Sequence, residues 1–254
     1  MSLYLSRLLL DGRSRQVVSE AAHPYEMHRT LMRAFPGSAD DAQGARAEFG
    51  VLFRADADER RRVVRVYVQS RTEPDWSFLE RSADYLLRNP GMPACECRDV
   101  MPALQRIKEG RILAFRLRAN PTKRVGASDD AMKGKRVELS REEEQVAWLA
   151  AKGRGDRSGV SGGFELIHAM REEGQSLLVR VAVRPEGKLF GRKKDMAGKQ
   201  VMTHFSVVFE GLLRVTDDEA FLRTLQDGIG PAKAYGFGLL SIASPEAVGL
   251  ELVS

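Results

Sequence analysis

Cysteine, histidine and long apolar runs are all scarce in this sequence of 254 residues. Two cysteines, Cys95 and Cys97, are too few for a disulfide scaffold or a four-thiolate zinc site, so the C-x-C pair reads as structurally ordinary. No apolar run approaches the roughly 20 residues that a membrane-spanning helix needs. The apolar start MSLYLSRLLLD carries Arg7 and lacks a small-residue cleavage site, so it reads as a first strand and not as a signal peptide. There is no H-x-x-x-H pair and no carboxylate cluster with ligand spacing, so no metal or other cofactor is expected. These absences point to a cytoplasmic protein without a membrane partner.

What is present suits one large or two ordinary globular domains, since 43% of the residues are apolar and 30% are charged. The net charge of +5 permits a nucleic-acid partner without demanding one, and the question becomes whether positive charge is clustered.

Two segments repeat one order of elements. The first has a strand over 3–10, a helix from Pro24 to Phe35, and strands in EFGVLFRA and RRVVRVYVQS, where Val64, Val66 and Val68 alternate with Arg65 and Tyr67. A weaker helix in SADYLLR follows, then a Pro- and Gly-rich passage that hides the last strand. The second has the strand RILAFRLRA, in which Leu113, Phe115 and Leu117 alternate with Arg116 and Arg118. Next comes the helix SREEEQVAWLAAKG, with a capping box at Ser140 and Glu143 and a stop at Gly153. Strands in GFELIHAM, SLLVRVAV and HFSVVFEGLLRVTD, the helix DEAFLRTLQDG and the strand GLLSIAS complete it, with a basic excursion interrupting the sheet. The expected fold is therefore α+β, two tandem ferredoxin-like (βαββαβ) domains at 1–105 and 106–254. Loops at 126–135 and 153–163 read as mobile. Such a scaffold hosts many functions, so sites must decide.

In HPYEMHRTLMRAF, Pro24 suits the first helical position, and Met27, Leu31 and Ala34 make an apolar stripe. Tyr25 and His28 lie three apart, so their rings neighbour each other at the edge of that stripe. The plainer reading makes them ordinary surface-edge residues. The sharper reading is a proton-transfer pair, because histidine titrates near neutrality and a phenol can share the proton. Arg29 and Arg33, four apart, could hold a phosphate beside them. The set suits RNA cleavage, where the 2′-hydroxyl is a built-in nucleophile and the protein need only orient it, manage two protons and stabilise charge.

Positive charge clusters between Arg184 and Lys199, where Arg184, Lys188, Arg192, Lys193, Lys194 and Lys199 face only Glu186 and Asp195. Between two strands, this run reads as a projecting hairpin or as a solvated loop, and a hairpin suits the groove of an RNA stem. Arg116, Arg118, Lys123 and Arg124 form a second basic face, for RNA or for solvent. In GIGPAKAYGFGLL, Gly228, Gly230, Gly236 and Gly238 surround Lys233, and glycines let backbone N–H groups approach a phosphate. The spacing is not that of a Walker loop.

HPYEMHRTL, TEPDWS, AFRLRANPTKR, VAWL, GRKKD and GIGPAKAYGFGLLS occur here in one order. In this the sequence closely resembles the CasE family, the repeat-processing endoribonucleases of type I-E CRISPR systems. The resemblance implies two ferredoxin-like domains of the RNA-processing RAMP type. It implies a metal-independent endoribonuclease that binds the CRISPR repeat stem-loop and cuts at the 3′ base of the hairpin. The products would carry a 2′,3′-cyclic phosphate and a 5′-hydroxyl. The enzyme would stay on the mature guide RNA with other Cascade subunits, and be monomeric when free. It implies that Tyr25 and His28 are the proton-transfer pair and that Arg33 lies near the scissile phosphate. Arg192 would read the stem from its groove, with Lys193 and Lys194 on phosphates. The chain has Gly191 where one member of that family has a second arginine.

Two rival readings remain at this point. A non-catalytic RNA-binding scaffold would share the fold, the basic hairpin and the glycine loop, but would have no need of Tyr25 beside His28. A small-molecule phosphatase would need a compact anion loop and no projecting hairpin.

Overall fold

The computed structural model describes residues 2–37, 47–88, 91–124, 136–155, 162–167, 181–195 and 198–248, with backbone only at 190–195 and 198–202. The chain forms two compact units: Met1–Arg106 with Leu189–Thr203 and Ala232–Leu239, and Ile107–Lys188 with His204–Pro231 and Leu240–Ser254.

The first unit carries β1 (Tyr4–Asp11), α1 (Arg15–Ala22), α2 (Pro24–Met32), β2 (Leu52–Asp58), β3 (Val63–Ser70), the short α3 (Ser77–Glu80), β4 (Cys95–Asp99) and the short α4 (Met101–Leu104). Its sheet runs β2-β3-β1-β4, and each pairing is antiparallel. Leu8 pairs with Val66 and Leu10 with Val64. That apolar face packs with Val17, Met27, Leu31, Met32 and Phe53 into one core.

Two expectations fail here for local reasons, and one strand that the sequence left undefined is located. One helix was expected ahead of the second strand, yet two form. A residue preceding proline is disfavoured in the α region, and His23, before Pro24, adopts φ −126° and ψ 78° and separates α1 from α2. SADYLLR is not helical: Tyr85 is buried with its hydroxyl on the Glu20 carboxylate, and Leu86 bridges Leu10. The strand hidden in the Pro- and Gly-rich passage is β4, paired with β1 from Leu8↔Cys95 to Tyr4↔Asp99. Burial first, then the charges of Glu80, Cys97 and Glu96, push the Cys95 thiol up to about 12, so it stays protonated.

The second unit carries β5 (Ile112–Ala119), β6 (Thr122–Arg124), β7 (Arg136–Glu138), α5 (Glu142–Arg154), β8 (Phe164–Leu166), β9 (Ala182–Asp195), β10 (Gly198–Val215), α6 (Asp218–Asp227) and β11 (Leu240–Ala243), β9 and β10 reaching beyond it at 189–203. Its sheet runs β11-β5-β10-β8, with β9 also on β10, while β6 and β7 form a separate ribbon. Leu113, Phe115, Leu117 and Ala119 lie opposite Leu213, Gly211, Phe209 and Val207. Trp148 of α5 stacks on Phe209 at 6.2 Å.

The capping box at Ser140 and Glu143 is not made. Arg141 is the extended N-cap without a side-chain cap bond, and Glu142, Glu143 and Glu144 occupy the first turn, where the helix dipole favours negative charge. Gly153 does not stop the helix. It sits where a Cβ would meet the Phe164 carbonyl oxygen at 2.4 Å, and the turn out of α5 comes at Gly155 with φ 78°. The basic excursion does not interrupt the sheet, because β9 runs to Asp195 and β10 starts at Gly198. Residues 126–135 and 156–161, in the two expected loops, lie outside the described residues.

Candidate functional site

Pro24 opens α2 and sets Tyr25 in its first turn, with His28 one turn on. His28 is not an edge residue. It is 1% exposed, and its ring lies parallel to Phe53 of β2, with centroids 6.1 Å apart and planes 8° apart. The sequence pattern missed this because a second layer covers the edge of the α2 stripe. That layer is a short 3-10 turn at Lys233–Tyr235, which belongs to the first unit although it lies more than 200 residues further along the chain.

The rings form a chain. Tyr25 is 6.0 Å from His28 and 5.6 Å from Tyr235. Ala232 (φ 61°) and Gly236 (φ 79°) bracket the turn in left-handed conformations. A Cβ at Gly236 would meet the Phe53 ring at 3.2 Å, so that glycine lets the turn close over the site. Burial, and then Tyr25, push the Tyr235 hydroxyl upward, so Tyr235 stays a neutral O–H group. Sequence reasoning singled out Lys233 and Gly236 but not Tyr235. The signal available was an aromatic residue set between the glycines of KAYGFG.

The arginines of α2 diverge from each other. Arg29 is exposed and pairs with Glu26 at 3.1 Å, a surface contact of little energetic weight that an anion can displace. Arg33, exposed at the C-terminal end of α2, lays its guanidinium over the Phe78 ring at 4.5 Å. It lines a cavity of about 350 Å³ with Gln16, Thr30, Arg81 and Tyr85. Helical rise puts it about 12 Å along the axis from Tyr25.

In the second unit, Arg116 meets Glu210 at 3.0 Å, and Lys123 meets Glu144 at 3.2 Å. Arg118 forms a two-pronged pair with Glu186. Arg124 is exposed on β6 opposite Arg136. Arg192, Lys193 and Lys194 lie on β9, their side chains outside the described part. Gly228 caps α6 with φ 72°, Gly230 (φ 84°) faces Trp148, and Gly238 has φ 91°. Lys233, Gly236 and Gly238 belong to the first unit, with Tyr25 and His28, and Gly228 and Gly230 to the second. Among the described residues, no group of three or more His, Cys, Asp or Glu side chains gathers to hold a metal ion. No helix of the described residues is long and apolar enough to cross a membrane.

An imidazole and a phenol on one helix, backed by a second phenol and shielded on a phenylalanine ring, can exchange protons in a site partly withdrawn from water. The family model described as CRISPR associated protein matches residues 3–244, and the chain belongs to that family. It is 36% identical over 242 residues to the CRISPR-associated endoribonuclease Cse3 of Thermus thermophilus, covering 95% of this chain and all of that one. It is 30% identical to the CRISPR system Cascade subunit CasE of Escherichia coli, over 86% of this chain and 91% of the relative. Among solved structures, Thermus thermophilus Cse3 bound to an RNA representing a pre-cleavage complex matches with a TM-score of 0.70 and 34% identity, over 96% of this chain and all of that one.

Proposed function

We propose that the protein is a metal-independent endoribonuclease of CRISPR repeat RNA. It binds the repeat stem-loop, cuts precursor RNA at the 3′ base of the hairpin, and stays on the mature guide RNA beside other Cascade subunits. The carrying observation is the Tyr25–His28 pair, 6.0 Å apart on α2, in a chain similar over 95% of its length to a named endoribonuclease.

The chemistry follows from the residues. The 2′-oxygen beside the scissile phosphate attacks phosphorus and loses its proton to one member of the pair. The bond from phosphorus to the 5′-oxygen breaks, and the leaving oxygen takes a proton from the other member. A 2′,3′-cyclic phosphate and a 5′-hydroxyl result, with no water consumed. Arg33, or Arg29 once released from Glu26, would balance charge on the phosphorane. Arg192, Lys193 and Lys194 contact the stem, and the glycines around Lys233 approach its backbone.

The fold reading sharpens in the same way. The orders β4-β1-β3-β2 and β11-β5-β10-β8 are those of two βαββαβ units, which supports tandem ferredoxin-like domains, the chain passing into the second near residue 106 and returning to the first unit at 189–203 and 232–239. We take the free protein to be monomeric and cytoplasmic. The reading is tested by incubating the protein and a repeat RNA with excess EDTA and analysing the ends. Cyclic phosphate and 5′-hydroxyl ends formed at the full rate are expected. Loss of cutting, or a 5′-phosphate, would refute it.

A further inference from the structure

The strand that leads into the basic run holds an ion pair whose arginine, Arg118, the sequence places on a basic face for RNA or for solvent. Arg118 of β5 donates from Nε to Glu186 Oε2 at 2.7 Å and from its second nitrogen to Oε1 at 2.9 Å. Glu186 belongs to β9, and the hydroxyl of Ser206 on β10 donates to the same Oε2 at 2.8 Å. One carboxylate therefore ties three strands of the second unit together. The Arg118 and Glu186 side chains are only 16% and 20% exposed, so the guanidinium fork is largely taken up by Glu186 and little of it is presented to solvent. Arg184, four residues from Lys188 on the same strand, approaches Glu186 at 3.8 Å, and Lys188 meets Glu138 of β7 at 3.1 Å.

Three facts set this pair apart from the surface pairs. It is bidentate, neither side chain is more than 20% exposed, and it lies on β9 six residues before Arg192. Burial acts to raise the Glu186 carboxyl, yet the bonds from Arg118 and Ser206 outweigh it and hold it below its ordinary range. The carboxylate stays charged through the neutral range, so the tie persists there. A half-buried charge that loses its partner is costly, so either substitution alone loosens the tie.

We propose that Arg118 and Glu186 are a positioning pair: they tie β5, β9 and β10 together on the strand that leads into the basic residues offered to an RNA stem, and Arg118 does not itself bind phosphate. This rests on reading the basic run as the stem-binding element. It makes a prediction opposite in sign to simple electrostatics. Removing the Glu186 charge makes the protein more positive and should tighten binding to a polyanion, whereas loss of positioning weakens it.

The test measures repeat stem-loop affinity across a salt series for the full chain, for Glu186→Gln, Arg118→Met and Arg118→Lys, and for the Arg118→Met, Glu186→Gln double variant. We expect each of the first two to bind about tenfold more weakly, with an unchanged slope of log K against log salt. The lysine variant should fall between, since it keeps the charge but not the fork. The double variant should be no worse than either single one. Tighter binding by Glu186→Gln would overturn the proposal, as would a slope reduced by about one in Arg118→Met, the mark of a lost phosphate contact. If the unaltered protein does not bind the stem-loop, the RNA reading fails instead, and amide hydrogen exchange decides the clamp. Faster exchange over 182–188 in Glu186→Gln, with 207–215 unchanged, supports it, and unchanged exchange over 182–188 overturns it.

Discussion

The imidazole of His28 lies parallel to the ring of Phe53, 6.1 Å away, and is 1% exposed. A residue so enclosed does little to hold a large RNA, yet it can move a proton. His28→Ala should leave repeat binding nearly intact, while single-turnover cutting falls by roughly two orders of magnitude or more. An equal loss of binding and cutting would argue against the catalytic assignment.

Tyr235 stands 5.6 Å from Tyr25 and backs it from a distant part of the chain. An aromatic contact of this kind contributes about 0.5–1.5 kcal/mol beyond burial. Tyr235→Ala should therefore slow cutting by up to about tenfold without changing RNA affinity, and Tyr235→Phe should stay within about twofold of the unaltered enzyme. A large loss with phenylalanine would make the Tyr235 hydroxyl a direct participant.

Gly236 has φ 79° and faces Phe53, so a methyl group there meets both strain and the ring on which His28 rests. Gly236→Ala should lower stability by about 1–3 kcal/mol, read from denaturant midpoints, and slow cutting as well.

His204 is held neutral. Burial lowers its pKa from 6.5, and the Asn120 amide donates to its Nδ1 at 3.1 Å. Below that value the unfolded chain takes up a proton that the folded chain refuses, so stability falls as pH drops and levels off once the folded ring also titrates. Melting temperature should decline as pH falls through 6.5, and His204→Gln should flatten part of that decline.

The regular parts of both sheets were legible in the sequence, because strict alternation in RRVVRVYVQS and RILAFRLRA leaves one register for the apolar face. β4 was not, since only five residues of mixed polarity form it and pairing with β1 supplies what its own pattern lacks. α1 escaped notice because few of its side chains are buried, Val17 and Glu20 among them. At the site, Tyr25 and His28 stood out through scarcity and spacing. The burial of His28 and the part of Tyr235 did not, because both depend on contacts between residues far apart in sequence. Arg118 shows the limit of reading charge alone. The strand pattern placed it on a polar face, but only the fold reveals Glu186 as its partner.

The central claim is that the RNA supplies the nucleophile and the protein positions it and moves two protons. The most direct measurement is cutting of a repeat RNA with a single 2′-deoxy sugar at the scissile position, beside the all-ribose RNA. The account predicts that the deoxy substrate binds equally well and is not cut at that bond. Cutting there at a comparable rate would contradict it.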